Sequence, residues 1–131
     1  MVVSASELDF RSLEGRSSAD PFRSLDADGL SMRVVHLAAG ATRKPHRHPH
    51  SCEAMYVVEG SGHFWEHGRA HRVEQGDCIL VAPGVPHATI PDRGEDMKLV
   101  CFLPHPDLTS NIEELNEEIE VEVPGNREPG G

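Results

Sequence analysis

Residues 46–53 read HRHPHSCE, and the interpretation of the whole chain starts from this stretch. It brings three histidines, His46, His48 and His50, within a few positions of the carboxylate of Glu53. His46 and His48 are two residues apart, so on an extended strand both side chains point to the same face. Two imidazoles directed into one interior are costly to bury unless they bind something. The stretch therefore indicates a metal site on a β-strand.

A later histidine, His87, follows the turn sequence Pro-Gly-Val-Pro at 83–86 and opens another apolar run. A turn at 49–50 would fold Glu53 back beside the first two histidines. Three neutral imidazole nitrogens and one carboxylate suit a divalent transition metal such as Fe, Ni, Mn, Zn, Co or Cu. Four protein ligands leave one or two positions for water or substrate in five- or six-coordinate geometry, and such open positions distinguish a catalytic site from a closed structural one.

A histidine-rich surface loop is the alternative interpretation of residues 46–50. By alternation His50 could face the same way as His46 and His48. Its place directly after Pro49 favours the turn, so we predict that it lies outside the ligand set, as a neighbour of the site. The remaining histidines after the site have no second ligand nearby in the sequence and are interpreted as surface residues, although the first of them could line a barrel: His63, His67, His71 and His105.

Short apolar runs separated by glycine- and proline-rich turns fill the middle of the chain. Such even spacing predicts an antiparallel sandwich or barrel without a long crossover. The predicted strands are 31–38, 46–48, 54–58, 63–65, 70–73, 78–82, 87–90 and 97–103.

The bulk composition fits one soluble domain. The chain has 131 residues and a formal net charge of −10, which disfavours nucleic acid and anionic membranes as partners because both attract clusters of Lys and Arg. The three cysteines, Cys52, Cys78 and Cys101, include no CxxC pair, so a reducing compartment is expected. No signal-peptide pattern and no apolar run near ~20 residues is present, and we expect a cytoplasmic protein.

The two ends of the chain differ from its middle. Residues 1–29 are predicted to form an N-terminal arm, either disordered or added as an edge strand to a partner subunit. Ser110 followed by Glu113 matches a capping box, and a short C-terminal helix is predicted after it, with residues 124–131 disordered. One face of that helix would carry Ile112, Leu115 and Ile119.

Two motifs resemble those of the cupin superfamily. The spacing from Gly40 through His46, His48 and Glu53 to Gly60 is similar to the first cupin motif, and residues 76–87 resemble the second. The resemblance covers residues 30–104. It implies an all-β, double-stranded β-helix (a jelly-roll barrel), usually dimeric. By the same resemblance, the four metal ligands are His46, His48, Glu53 and His87. The second motif departs from the family pattern at two positions: Ala82 replaces a proline and Pro91 an asparagine.

Cupins have many functions, so the resemblance leaves several open. The first expectation is a metalloenzyme that acts on a small oxygen-rich molecule, with dioxygenase chemistry as the best guess. The alternatives are a metal-dependent lyase or isomerase, and a non-catalytic module that binds or senses a sugar or organic acid. Glu53 could also leave the metal and act as a base. Apolar walls of the pocket are predicted from Met55, Val57, Phe64 and Leu80, and a hydrogen-bond donor from Tyr56 if it faces inward.

Overall fold

The structure is a computed structural model that describes residues 1–13, 15–23, 25, 27–40, 44–117 and 119. Two single turns of 3-10 helix occur there, at Ala5–Glu7 and Thr109–Asn111. The other regular elements of these residues are eleven strands: β1 (Arg11–Leu13), β2 (Arg16–Ala19), β3 (Ser31–Leu37), β4 (His46–Arg47), β5 (Glu53–Glu59), β6 (Ser61–Glu66), β7 (Arg69–Glu74), β8 (Cys78–Val81), β9 (His87–Pro91), β10 (Met97–Leu103) and β11 (Glu113–Glu114).

The strands form two antiparallel sheets. The six-stranded sheet has the order β1-β2-β3-β10-β5-β8, and the five-stranded sheet has the order β11-β4-β9-β6-β7. One apolar core lies between the sheets, in which Met55 and Leu99 of the first sheet pack in the same cluster as Phe64 and Val73 of the second. The prediction of an all-β jelly-roll barrel is confirmed, and each predicted run lies within two residues of the bounds of a strand.

Alternation along the strands decides which side chains enter the barrel. In β5 the side chains of Glu53, Met55 and Val57 are buried, while the residues between them are exposed. In β3 the buried face carries Arg33 together with Val35 and Leu37. The inward faces of β3 and β5 are therefore mainly apolar, and their two charged residues, Arg33 and Glu53, contact each other.

The turn between β5 and β6 depends on Gly60. Its φ of +90° lies in the left-handed region, which side-chain-bearing residues avoid, and an added Cβ would collide with the carbonyl oxygen of Asp96. On the neighbouring strand, β9 runs on through Pro91, which lies opposite Gly62. The replacement of asparagine by Pro91 therefore leaves the pairing of β6 and β9 in place.

The described part of the N-terminal arm is ordered. Strands β1 and β2 form a hairpin, and β2 pairs with β3 of the same chain, so the arm extends the six-stranded sheet at its edge. The exchange of this arm between subunits stays a prediction.

The C-terminal segment differs from its prediction. The 3-10 turn at Thr109–Asn111 ends before Ile112, and the next residues form β11 instead of the amphipathic helix expected after Ser110. Strand pairing outweighs the local helical pattern here, because Arg47 of β4 forms an ion pair with Glu113 at 2.8 Å and Leu115 N donates to Pro45 O at 3.0 Å. The predicted disordered tail, 124–131, lies outside the described residues. No helix of the described chain has the length and apolarity needed to span a membrane.

Candidate metal centre

The four predicted ligands meet at one end of the barrel. His46 is the first residue of β4 and lies directly opposite His87, the first residue of β9. His48 follows β4, and Glu53 opens β5 on the other sheet. One potential ligand atom from each of the four lies within 4.8 Å of the others, and His48, Glu53 and His87 are fully buried. This cluster could hold a metal ion.

Backbone carbonyls fix the orientation of two of the imidazole rings. His48 Nδ1 lies 2.8 Å from Asn111 O, and His87 Nδ1 lies 2.9 Å from Val85 O. A carbonyl oxygen can only accept a hydrogen bond, so Nδ1 of each ring is the donor and Nε2 is turned toward Glu53. Metal-binding histidines are commonly oriented in this way by a partner on the second ring nitrogen.

The carboxylate between these rings is held by a buried ion pair. Arg33 Nη2 donates to Glu53 Oε2 at 2.6 Å, and both side chains are at most 2% exposed. The other oxygen, Oε1, lies 3.0 Å from His87 Nε2 and 3.2 Å from His48 Nε2. Burial opposes ionisation of Glu53, but its contacts with His48, His87 and Arg33 outweigh burial and hold its pKa well below the usual range.

These residues fit a divalent metal. Burial, followed by repulsion from His87, holds the pKa of His46 well below its usual value, so its ring is neutral near pH 7 and offers a lone pair. His48 Nε2 forms no hydrogen bond in the described chain. Between a ring Nε2 and the carboxylate oxygen that it faces, a cation is needed, either a proton or a metal ion. Three nitrogens and one carboxylate oxygen form a donor set that Zn²⁺ and other divalent transition metals accept.

A small cavity of about 40 Å³ lies against the cluster. His46, Glu53 and His87 line it, so the cavity reaches three of the four proposed ligands. A space of this size holds a few water molecules or the end of a small ligand. The other lining residues are Gly15, Arg16, Arg33, Val35, Leu37, Lys44, Met55, Ala88, Thr89, Leu99 and Cys101.

The predicted pocket residues divide into two groups. Met55 lines the cavity, Val57 lies in the core, and the Phe64 ring lies 5.9 Å from the ring of His87. The prediction for Leu80 is wrong, because its side chain is 70% exposed and faces away from the barrel interior. Tyr56 was expected in the pocket only if it faced inward, and its side chain is 46% exposed and faces outward. The neighbours of Tyr56 and Leu80 in the sequence face inward, so these two side chains face outward. The run 78–82 is uniformly apolar and therefore gave no pattern from which to choose the face of Leu80.

His50 lies outside the cluster, as predicted from its position after Pro49. Its side chain is exposed and stacks on the ring of His105, with 5.9 Å between the ring centroids. Its backbone N–H donates to Asn111 Oδ1 at 2.8 Å. His63 is buried, whereas His67 and His71 are exposed.

A protein-family model described as a cupin domain matches residues 33–103, more than half of the chain. The chain belongs to the cupin domain family. No protein of curated function matches the sequence.

Solved structures show the same fold. The oxalate decarboxylase of Lactobacillus farciminis, in complex with formate, aligns with a TM-score of 0.73 and 19% identity over 85% of this chain, which spans only 34% of the decarboxylase. KdgF from Halomonas sp. aligns with a TM-score of 0.66 and 21% identity, covering 81% of this chain and 94% of its own. The polyketide cyclase RemF of Streptomyces resistomycificus aligns with a TM-score of 0.72 and 16% identity, covering 93% and 87%. At these identities the likeness concerns the fold alone.

Two residues of this cupin site escaped the sequence analysis. Arg33 shares a strand face with Val35 and Leu37, and a charge between apolar residues on one face was the available signal. Asn111 is fully buried, and it contacts the segment that carries His48 through both its backbone and its side chain. Nothing in the sequence around Asn111 indicated this role, because its partners at the site are 60 or more residues away.

The cysteines of this cupin are free thiols. Cys78 is exposed and Cys52 is half-buried. Cys101 is buried on β10, opposite Arg33, and lines the cavity. Burial, with a smaller contribution from the charge of Glu53, raises the pKa of Cys101, so the thiol stays protonated near neutral pH.

Proposed function

We propose that this cupin is a divalent-metal enzyme acting on a small oxygen-rich molecule, with dioxygenase chemistry as the first candidate. The observation that carries the proposal is the cluster of His46, His48, Glu53 and His87, three of which line an adjoining cavity. A closed structural metal site would have no such space beside it.

Other residues of the chain orient the proposed ligands at such a site. The backbone contacts of His48 and His87 hold their rings, so that Nε2 of each is presented without a side-chain rearrangement. Arg33 holds Glu53 by Oε2 and leaves Oε1 for the metal. A metal bound there would supply activation of O₂ or polarisation of a carbonyl group.

Dioxygenase chemistry comes first because the cavity offers no separate carboxylate among its described lining residues to act as a base. The carboxylate there is Glu53, which is already one of the proposed ligands. The thiol of Cys101, whose pKa is raised, is a poor base. Separate acid and base steps would need further titratable side chains at the cavity. A reaction centred on the metal does not need them.

A metal-dependent lyase or isomerase is the second candidate. The ion pair between Arg33 Nη2 and Glu53 Oε2 favours it, because Arg33 could hold the carboxylate beside the cavity if Glu53 left the metal. Glu53 would then act as the base.

We also propose that the protein is a cytoplasmic homodimer that binds no nucleic acid. The net charge of −10 supports the absence of nucleic-acid binding, and the free thiols support a reducing compartment. An apolar outer face of the six-stranded sheet, formed by Tyr56, Val58, Leu80 and Phe102, supports self-association because each of these side chains is at least 39% exposed.

The metal content of protein purified without a metal-affinity tag tests the proposal. We expect close to one equivalent of a transition metal in the wild type and a loss of most of it in His48→Ala. The matched control is His50→Ala, since His50 stands two positions later and lies outside the cluster. This variant should keep its metal.

Full metal occupancy in His48→Ala, or equal losses in both variants, would contradict the ligand assignment. With iron, nickel, manganese or copper bound, uptake of O₂ with small oxygen-rich substrates separates the first candidate from the second. Zinc as the native metal would favour the lyase or isomerase. Ligand binding with no turnover under any of these conditions would favour a non-catalytic binding module.

A further inference from the structure

Arg33 has more hydrogen-bond donors than the described residues satisfy. The side chain is 2% exposed, and its Nη2 donates to Glu53 at 2.6 Å. Its Nε and Nη1 atoms are also buried, and neither has a hydrogen-bond partner among the described residues. Buried donors without acceptors are rare in folded proteins and cost free energy. The guanidinium group, which lines the cavity, therefore lacks acceptors that a ligand could provide.

Cationic side chains also outnumber carboxylates among the described residues that line the cavity. In the part of the lining that the structure describes, the cationic side chains are Arg16, Arg33 and Lys44, and the carboxylate is Glu53. Arg16 pairs with Glu114 at 2.8 Å, outside the cavity lining. Asp20 interacts electrostatically with Arg33, but it does not line the cavity. This local excess of positive charge contrasts with the net charge of −10 of the chain.

A divalent metal would increase the excess. The metal and Arg33 together bring three positive charges to the buried site, and Glu53 offsets one of them. An uncompensated charge in a low-dielectric interior is unfavourable, so an anion that entered the cavity would be stabilised by both groups.

We propose that the substrate is a small carboxylate, whose anionic group is bound by Arg33 while a neighbouring hydroxyl or carbonyl oxygen reaches the metal. The planar guanidinium group presents paired N–H donors that match the two oxygens of a carboxylate. The cavity of about 40 Å³ restricts the reacting part of the molecule to a few atoms, as in 2-hydroxy or 2-oxo acids. This inference rests on the proposed function, because it places the carboxylate beside the proposed metal centre.

A pair of probes that differ in charge and little in shape tests the inference. Glycolate and glycolamide have the same number of heavy atoms, and only glycolate is an anion. Calorimetric titration of the metal-loaded wild type should show tighter binding of glycolate than of glycolamide. In Arg33→Gln we expect this preference to fall about tenfold or more, because a charge-assisted hydrogen bond is lost. The metal content of each variant is measured first, so that loss of metal is distinguished from loss of anion binding.

The matched control is Arg72→Gln. Arg72 also forms an ion pair at 2.6 Å, with Asp92, but it lies outside the cavity lining and is 46% exposed. The preference for glycolate should be unchanged in this variant. If Arg33→Gln does not fold, Arg33→Lys replaces it, and because lysine keeps the charge and loses the planar fork, we expect a reduced preference that still favours glycolate.

An unchanged preference in metal-loaded Arg33→Gln, or in Arg33→Lys if only that variant folds, would overturn the inference and leave the proposed metal centre standing. A wild type that binds no metal would overturn the proposed function. In that case the same titrations are made on the metal-free protein. A glycolate preference that depends on Arg33 would support anion binding by Arg33. The lack of any preference in the wild type would overturn it.

Discussion

Asn111 shows how one residue far from the ligands in the sequence can position them. Its side chain has no exposed surface. Its carbonyl oxygen accepts from His48 Nδ1, its Oδ1 accepts from His50 N at 2.8 Å, and its Nδ2 donates to Ser51 Oγ at 2.8 Å. These bonds fix the loop that follows β4, and through the ring of His48 they fix one donor of the metal centre.

Replacement of Asn111 by alanine removes both side-chain bonds and leaves the buried Ser51 hydroxyl without this donor. We expect Asn111→Ala to lower the free energy of unfolding by about 1–3 kcal/mol. Metal affinity should fall by about 10–100-fold, because the second sphere of the metal is disturbed. Denaturant unfolding and chelator competition measure the two effects.

The control is Asn116→Ala, since Asn116 is an exposed asparagine of the same segment. It should change neither quantity. A loss of stability in Asn111→Ala with unaltered metal affinity would show that the position of His48 does not depend on this side chain.

At the scale of the elements, the turns between strands decide whether the two sheets meet correctly. Gly60 and Gly76 have similar left-handed φ values, +90° and +94°. Their surroundings differ, because an added Cβ at Gly60 would collide with the backbone at Asp96, whereas nothing lies within 4 Å of one at Gly76. A comparison of alanine substitutions at the two glycines therefore separates the cost of backbone strain from the cost of a steric collision.

We expect Gly60→Ala to lower the free energy of unfolding by about 2–3 kcal/mol, since both strain and collision act there. Gly76→Ala should cost only about 1 kcal/mol, the strain of the left-handed conformation alone. Urea unfolding of both variants at one temperature makes the comparison. Equal losses would mean that the β5–β6 turn can shift away from Asp96 without cost.

Strand β11 has a role that the expected helix would not have had. It pairs with β4, so it covers the edge of the strand that begins at His46. We expect a chain ending at residue 112 to bind metal about tenfold more weakly than the full chain, because β4 loses its partner. A chain ending at residue 119 retains β11 and should match the full chain. Metal titrations with a competing chelator compare the three, and equal affinities would show that β4 holds its ligands without β11.

At the scale of the whole molecule, the six-stranded sheet has apolar side chains on its outer face as well as in the core. Its outward side chains include Tyr56, Leu80 and Phe102, which are 46%, 70% and 39% exposed. Surfaces of this kind are typical of contacts between subunits. The proposed homodimer is therefore expected to use this face.

Leu80→Glu places a charge at the most exposed of these positions and should convert the dimer into a monomer, since a buried unpaired charge is costly at an interface. Light scattering coupled to size exclusion measures the mass. The matched control is Leu25→Glu, because Leu25 is 47% exposed and lies outside both sheets. A monomeric wild type would contradict the dimer. If Leu80→Glu stays dimeric, another surface is used, and deletion of residues 1–25 then tests the exchanged arm.

The sequence by itself determined the strands from β3 to β10, the turns between them and the set of metal-ligand candidates. Alternation and glycine or proline punctuation act over a few residues, so they could be recognised without the fold. His46 and His48 share a strand face for the same local reason. Alternation within residues 31–38 puts Arg33, Val35 and Leu37 on one face, but it does not show that this face is the interior.

Only the tertiary structure decided the features that join distant parts of the chain. Arg33 contacts Glu53 across 20 positions, and Asn111 contacts His48 across 63. The C-terminal segment became a strand because β4 offered an unpaired edge, although its local pattern favoured a helix. Leu80 turned outward because its pairing with Ala54 of β5 fixed the register. In each case the free energy of a long-range contact outweighs the local preference, and no pattern within a few residues records such a contact.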